Sequence, residues 1–468
     1  MTEIKFGTDG WRAIIAKEYT TDNLIRISDA TARFVKKRGG DSVVIGHDCR
    51  FGGPMFAELC TQVMAAHGLR VYLASGFVST PMVSLGVVEY KSYLGVVITA
   101  SHNPPEYNGF KLKSSYGGPS IPADIAEVES MIPDFIPEIK LKSLQELEKE
   151  GSLIYVDLEK NYLQACRKAF DLERINSSFI RLGYDAMYGA GQRVIRQLLS
   201  QVEEIHCDHN PGFHGQAPEP IHRNLKTLSQ MIAQNEHLNC GLANDGDADR
   251  IGMYDEDGKF VDSHHILLLL IHYLSKYKQM SGKVVVTFSV TDKVKKLCEL
   301  YQLPYEVKKI GFKYIAEVMM NETVLVGGEE SGGIAAAGHI PERDGIWMGL
   351  ILLEFMAVTG KTLKALIQEI YDIVGSFDFD RDDYHLDNEL KNAIVDRCKS
   401  NFYTQLGNKN IVRMEDLDGY KFYVDENTWV MVRASGTEPV LRIYAQAPTA
   451  EEVRKVLDDA KITFINNQ

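Results

Sequence analysis

The chain has 468 residues, more than the roughly 250–300 that one hydrophobic core organises, so several domains are expected. Hydrophobic residues make up 45% and charged residues 25%, an ordinary globular composition. The net charge of −13 speaks against nucleic acid as a partner, which wants a basic face, while a local basic pocket could still hold a phosphorylated small molecule.

No apolar run approaches the ~20 residues that cross a bilayer, and Ile266 to Ile271 is far too short. Met1-Thr2-Glu3-Ile4-Lys5-Phe6 has neither the basic start nor the apolar stretch of a signal peptide. The seven cysteines are scattered, with no Cys-x-x-Cys, and read as free thiols of a reducing compartment. A cytoplasmic protein without a membrane partner is expected.

In chain order, Val43-Val44-Ile45-Gly46 reads as a buried strand, 54–67 as a helix, and 69–74 and 94–99 as further strands. That alternation argues for an α/β layered domain. Residues 114–122 read as a loop, and the charged, proline-punctuated 133–151 as a linker. Val43 to Asp48 resembles Ile180 to Asp185, each an apolar strand ending in Gly-aromatic-Asp. Related α/β units repeated along the chain explain this, as does chance similarity between buried strands. A strand at 284–288 feeds a helix from Asp292. Past about residue 375, strands at 421–424, 429–432 and 441–446 and a helix at 450–464 predict a smaller α+β domain.

Four constellations carry chemistry. In Thr99-Ala100-Ser101-His102-Asn103-Pro104-Pro105, Ser101 emerges at the carboxyl end of a strand, where open α/β sheets bind ligands. A serine nucleophile needs a neighbour to handle its proton, and His102 and Lys111 are close in sequence. A turn with a capping serine and a solvated histidine reads the same residues. A second His-Asn-Pro at 209–211 lacks the serine and reads as a surface loop. In Asp245-Gly246-Asp247-Ala248-Asp249-Arg250, three carboxylates alternating with small residues can surround one cation. Glu256 falls where a calcium loop wants its last ligand, but Arg250 stands at the glycine position, which argues against an EF-hand. An aspartyl-phosphate enzyme using Asp245 is a further reading. Gly327-Gly328-Glu329-Glu330-Ser331-Gly332-Gly333 offers Glu329 and Ser331 to a polyol, although a capped glycine turn explains it equally. Arg433-Ala434-Ser435-Gly436-Thr437 makes a phosphate cradle or a plain strand connection.

In this order the four motifs closely resemble the α-D-phosphohexomutases, the phosphoglucomutase/phosphomannomutase enzymes. The resemblance runs from Phe6-Gly7-Thr8-Asp9-Gly10-Trp11-Arg12 to 433–439. It implies three related α/β/α domains (1–148, 149–254 and 255–374) and a C-terminal α+β domain similar to the TATA-binding protein (375–468), around a central cleft. It implies Ser101 as phosphoserine, with Asp245, Asp247 and Asp249 binding Mg²⁺ together with Ser101. Arg12 and Arg250 would pair with the phosphoserine or its metal site, and Lys111 and His102 would act as general acid and base. Glu329 and Ser331 would contact sugar hydroxyls. Arg433, Ser435, Gly436 and Thr437 would bind the distal phosphate. Gly311-Phe312-Lys313 resembles the Gly-Trp-Lys loop of phosphoglucomutases, which adds Lys313.

The implied reaction interconverts hexose 1- and 6-phosphates, of glucose and/or mannose, through a 1,6-bisphosphate that also serves as activator. Glu330 and Gly333 lean toward glucose and mannose, because phosphoglucosamine mutases usually show Gln and then Ser-Gly-His there. Phosphoglucosamine mutase is the alternative, and an Asp-dependent phosphatase or phosphotransferase a further one. The implied partner is a phosphosugar, for a monomer or a homodimer.

Overall fold

The strand β2 (Ser42–His47) is buried from end to end, so Val43, Val44 and Ile45 need neighbours on both sides and cover on both faces. The computed structural model, which describes residues 2–7, 9–434 and 440–466, supplies both. Around β2 lie β1 (Trp11–Ile14), β3 (Arg70–Ala74), β4 (Leu94–Ile98), β5 (Tyr107–Ser114), β6 (Gly118–Pro119) and β7 (Leu153–Val156). The sheet order is β1-β5-β4-β2-β3-β7, with β6 added to β5. β2 runs parallel to β3 and β4, and β3 parallel to β7. β5 runs antiparallel between β4 and β1. The chain therefore doubles back after β4, and the Ser101 loop projects from the carboxyl edge of the parallel strands. Helix Thr80–Glu89 begins beside that edge, capped by the Ser79 hydroxyl and with a proline in its first turn.

A second sheet contains β8 (Leu182–Asp185), β9 (Val202–Ile205), β10 (Cys240–Asn244), β11 (Ile251–Tyr254) and β12 (Phe260–Val261), in the order β12-β11-β10-β8-β9. β8 is parallel to both β10 and β9, so β2 and β8 are both interior strands between parallel neighbours, as the weak repeat suggested. β10 and β11 are antiparallel, and the acidic residues 245–250 form the hairpin loop that joins them. Tyr184 donates to Asn244 Oδ1 at 3.0 Å, and Asn244 Nδ2 donates to the Arg250 carbonyl at 2.9 Å. The buried side chain of Asn244 thus closes the mouth of that hairpin. A strand follows it rather than a helix, which disposes of the EF-hand.

Farther on, strands Lys283–Thr287, Tyr305–Lys308, Val324–Gly328 and Ile334–Ala336 alternate with helices Ser263–His272, Lys293–Tyr301 and Phe312–Asn321. Val326 pairs with Ala336 across an antiparallel turn that carries the Gly-rich loop. The last sheet is antiparallel. Its order is Asp378–His385, Val440–Ala447, Trp429–Ala434, Tyr420–Tyr423, Arg413–Glu415. Helix Ala450–Lys461 buries Val453, Val456 and Leu457. Three α/β/α segments and a terminal α+β segment are thus present, as expected.

By packing, the chain divides into Met1–Val285 with Gly311–Leu366, and Val286–Ile310 with Ile367–Gln468. The first sheet runs past residue 148 to take in β7. Local departures from expectation have simple causes. The 133–151 segment contains helix Leu144–Lys149, because Ser143 and Glu146 form a capping box and Leu147 is buried. Residues 114–122 are not all loop, since Gly118 pairs with Ser114. The last helix stops at Lys461 and widens into a π-type turn over Ile462–Asn466. Among the described residues no helix is long and apolar enough to cross a membrane, and all seven cysteines are free.

Candidate active site

Ser101 is 1% exposed and sits in the left-handed backbone region at φ +53°, an unfavourable place for a residue with a Cβ. Its hydroxyl donates to Asp245 Oδ2 at 2.8 Å and lies 3.4 Å from His102 Nδ1. The loop after β4 and the hairpin after β10 therefore meet at one hydrogen bond. Gly246 permits that approach: a Cβ there would stand 2.5 Å from the Ser101 carbonyl oxygen.

The three aspartates of the hairpin are all buried, and each offers an oxygen within 4.8 Å of the others'. Ala248, at φ +56°, bends the loop so that the carboxylates converge. Asp245 Oδ1 accepts from the Arg250 amide at 3.0 Å. Lys111 Nζ donates to Asp247 Oδ2 at 2.8 Å and Asp249 Oδ2 at 3.1 Å, and pairs with Asp9 Oδ2 at 2.9 Å. Thr80, at the start of its helix, also donates its hydroxyl to Asp247. Arg343 Nη2 lies 2.7 Å from Asp249 Oδ2 and pairs with Asp9. Lys113 pairs with Glu342 Oε2 at 2.7 Å.

These surroundings move the protonation equilibria. Burial, and then Asp249 and Asp247, push the Asp245 carboxyl well above its usual range. For Asp247 burial acts the same way, but Lys111 and the Thr80 hydroxyl outweigh it and hold the group low. Burial works against the Lys111 ammonium, yet Asp247, Asp249 and Asp9 keep it charged. Burial, with Arg250, Arg12, Lys111 and Arg50 around it, holds the His102 imidazole well below its ordinary value.

The donor set suits a hard divalent cation, since oxygen ligands on a tight loop are what Mg²⁺ takes. Two further atoms support the fit. Asp247 Oδ1 and Asp249 Oδ1 are buried without a hydrogen-bond partner, and a buried carboxylate oxygen left so is costly unless something positive meets it.

The other expected residues lie as follows. Arg12 donates to Asn103 Oδ1 at 2.8 Å and so touches the serine loop rather than the serine. Arg250 Nε is 4.0 Å from Asp245 Oδ2. Glu329 accepts the Gly311 amide at 2.8 Å. Its loop is joined to the acidic hairpin by the Ile251 amide, which donates to the Gly332 carbonyl at 3.1 Å. Burial, and then Glu330, push the Glu329 carboxyl up to about 7 against the pull of Arg343. Ser331 is half-buried in the same loop, and Lys313 follows Phe312 in the first turn of its helix. Arg433 belongs to the second packed unit, half-buried, with Asp418 Oδ1 at 3.5 Å. Ser435, Gly436 and Thr437 lie outside the described residues.

Asp9, Arg50, Thr80, Lys113, Glu342 and Arg343 escaped sequence reasoning as site residues. Asp9 and Arg343 carried the better signal, each a charge inside a short Asp-Gly motif ahead of an apolar stretch.

Comparison with known proteins gives four matches in chain order. Phosphoglucomutase/phosphomannomutase alpha/beta/alpha domain I matches residues 3–135, domain II 160–258, domain III 262–374 and the C-terminal domain 400–461. A Thermococcus kodakarensis protein named phosphoglucomutase/phosphomannomutase is 29% identical over 460 residues, covering 97% of this chain and 96% of its own. A Pyrococcus furiosus protein named "probable phosphoglucosamine mutase" is also 29% identical, over 461 residues, with the same coverage of each chain. The crystal structure of a "putative phosphomannomutase" from Thermus thermophilus superposes with a TM-score of 0.87 at 33% identity, covering 98% of each chain.

The acidic hairpin makes a direct prediction. Titration calorimetry with Mg²⁺ should find one site, and Asp247→Asn should weaken it at least about tenfold by removing one charged oxygen ligand. Unchanged affinity in that variant would remove Asp247 from the cation site.

Proposed function

The chain belongs to the α-D-phosphohexomutase family, and on that premise we propose that it interconverts hexose 1- and 6-phosphates, of glucose and/or mannose, with Ser101 as the phosphoryl carrier. The observation that carries the reading is the hydrogen bond from Ser101 Oγ to Asp245. It sets a buried nucleophile against a cluster of carboxylates suited to a divalent cation.

In the forward direction O6 of a hexose 1-phosphate attacks the phosphorus on Ser101. The new O6–P bond forms as the P–Oγ bond breaks, the 6-hydroxyl loses its proton, and Ser101 Oγ takes one up. The resulting 1,6-bisphosphate turns round. Ser101 Oγ then gives up its proton and bonds to the phosphorus of the 1-phosphate as the P–O1 bond breaks, O1 takes up a proton, and hexose 6-phosphate leaves with the carrier restored. Asp245, Asp247 and Asp249, with Ser101, are the residues that would hold Mg²⁺, which when bound neutralises charge on the transferring group. His102 and Lys111 handle the hydroxyl protons, and the 3.4 Å separation of His102 Nδ1 from Ser101 Oγ supports that assignment. Arg12 and Arg250 supply positive charge around the phosphoserine. Glu329 and Ser331 accept sugar hydroxyls, with Lys313 on the neighbouring turn. Arg433, with Ser435, Gly436 and Thr437, holds the phosphate that is not reacting. A hexose 1,6-bisphosphate would act as activator by charging Ser101. The limits between sequence units belong to the same proposal, drawn after β7 and after β12 rather than at 148 and 254 so that each sheet stays whole, with the third at 374.

Glucose and mannose are favoured by Glu330 and Gly333 in the sugar loop. An amino sugar is the second reading, supported by the name of the Pyrococcus furiosus relative. Comparing kcat/KM for glucose, mannose, glucosamine and N-acetylglucosamine 1-phosphates, with a bisphosphate present, decides between them. A preference for glucosamine 1-phosphate would overturn the first.

Two predictions test the chemistry. Ser101→Ala should abolish interconversion of glucose 1- and 6-phosphate while leaving the fold intact, whereas wild-type turnover in that variant would end the mechanism. Glu329 should accept sugar hydroxyls only as the carboxylate, and its value near 7 sets the direction. KM should rise as the pH falls through about 7. In Glu329→Gln it should be raised throughout, and only the titration of the substrate's own phosphate should remain. Identical pH profiles in the two enzymes would separate Glu329 from substrate binding.

A further inference from the structure

Arg50 has no place in the chemistry above, yet it is 2% exposed and its guanidinium is surrounded by the serine loop. Nη2 donates to the carbonyls of Ser101 and Asn103, both at 2.6 Å. Nη1 donates to those of Pro104 at 2.8 Å and Tyr107 at 3.0 Å. Its Nε lies 3.3 Å from Asp48 Oδ2, and Phe213 covers it, with the ring centroid 4.9 Å from Cζ. Asp48 reaches the same serine by a second route. Thr99 donates its hydroxyl to Asp48 Oδ2 at 2.5 Å and accepts the Ser101 amide at 2.8 Å. Both backbone polar groups of Ser101 are therefore tied to the Asp48–Arg50 pair.

We infer that Arg50 is a positioning residue for phosphoryl transfer: it gathers four carbonyls of the 101–107 loop and so holds Ser101 in the left-handed geometry that presents Oγ to Asp245. The inference rests on the reading of Ser101 as the phosphoryl carrier. A serine at φ +53° relaxes unless its surroundings over-determine it. A planar guanidinium with donors in a fixed fork can serve four acceptors at once, whereas an ammonium has three donors and no plane. With the fork removed, the Ser101, Asn103 and Tyr107 carbonyls lose the Arg50 donor and Pro104 keeps only the Tyr107 amide at 3.1 Å, so the loop reorganises to recover partners. A displacement of about 1 Å at a reacting atom is enough to cost about 100-fold in rate.

The surroundings also supply a way to test this. A cavity of about 430 Å³ is lined by Arg50, Phe51, Phe77, Tyr155 and His209 among others, and Phe51 and Tyr155 are exposed at its rim. Arg50 belongs to that wall although its side chain is fully buried, so free guanidinium is expected to enter from the cavity once an alanine opens the wall.

The experiment compares full-length wild type, Arg50→Ala, Arg50→Lys and Ser101→Ala, measuring kcat and KM for hexose 1-phosphate with and without low-millimolar guanidinium chloride. Arg50→Ala should lose about 100-fold in kcat, with KM within about threefold, and guanidinium should restore at least about tenfold. Arg50→Lys should fall between the two, with no rescue. A kcat for Arg50→Ala within about threefold of wild type overturns the inference. So does a loss that guanidinium fails to reverse, since a merely destabilised protein gains nothing from a denaturant. If Arg50→Ala does not fold, Arg50→Lys decides: lowered kcat at unchanged KM and Tm supports the role, and wild-type kcat overturns it. Full activity in Ser101→Ala would instead overturn the reading on which the inference stands.

Discussion

The hydrogen bond from Ser101 Oγ to Asp245, flanked by those of Lys111 and Thr80 to the same hairpin, joins the first two sheets where their charged and nucleophilic groups converge. Each sheet delivers its half at the end of a buried strand, β4 on one side and β10 on the other. Neither loop is relaxed, because Ser101 and Ala248 both adopt positive φ. The strain is tolerated because rigid strands flank both loops and because side chains brace them. Asn244 closes the hairpin, and the Asp48–Thr99–Arg50 group fixes the serine loop. Strain concentrated on two facing loops, with the sheets behind them regular, is the pattern of a preorganised site.

Charge balance explains why so many ionised groups can be buried together. Asp9, Asp245, Asp247, Asp249 and Glu342 share a small volume with Lys111, Lys113 and Arg343. Removing one partner from such a network leaves an uncompensated buried charge. The balance remains uneven at the hairpin, where Asp245 is pushed up and two carboxylate oxygens lack donors. That residual demand for positive charge is the physical reason a cation would be held there. It also explains why the acidic net charge of the whole chain did not contradict a phosphate-handling site.

Much of this was legible in the sequence. The strand before Ser101, the acidic hairpin and the antiparallel C-terminal segment follow from apolar runs bounded by small polar, glycine or charged residues. The serine and hairpin loops were recognisable as a pair, although the serine loop alone read as well as a capped turn. Their contact was not legible, because it spans residues 101 and 245 and depends on two sheets meeting. Arg50 was invisible for a related reason. Its partners are backbone carbonyls, which every sequence has, and only the fold gathers four of them around one side chain. Thr80 reads locally as a helix start, and its bond to Asp247 crosses between elements far apart in the chain. The 133–151 segment shows the opposite error, a capping box at Ser143 and Glu146 overlooked amid charge and proline.

The central claim is that Ser101 carries the phosphoryl group and recovers it each cycle. The most direct measurement is peptide mass mapping of the full-length chain after incubation with glucose 1,6-bisphosphate, followed by a chase with glucose monophosphate. The account predicts one added phosphoryl group, located on Ser101 and discharged by the chase into bisphosphate. A phosphoryl group on Asp245, or steady release of inorganic phosphate with Ser101 unmodified throughout, would contradict it.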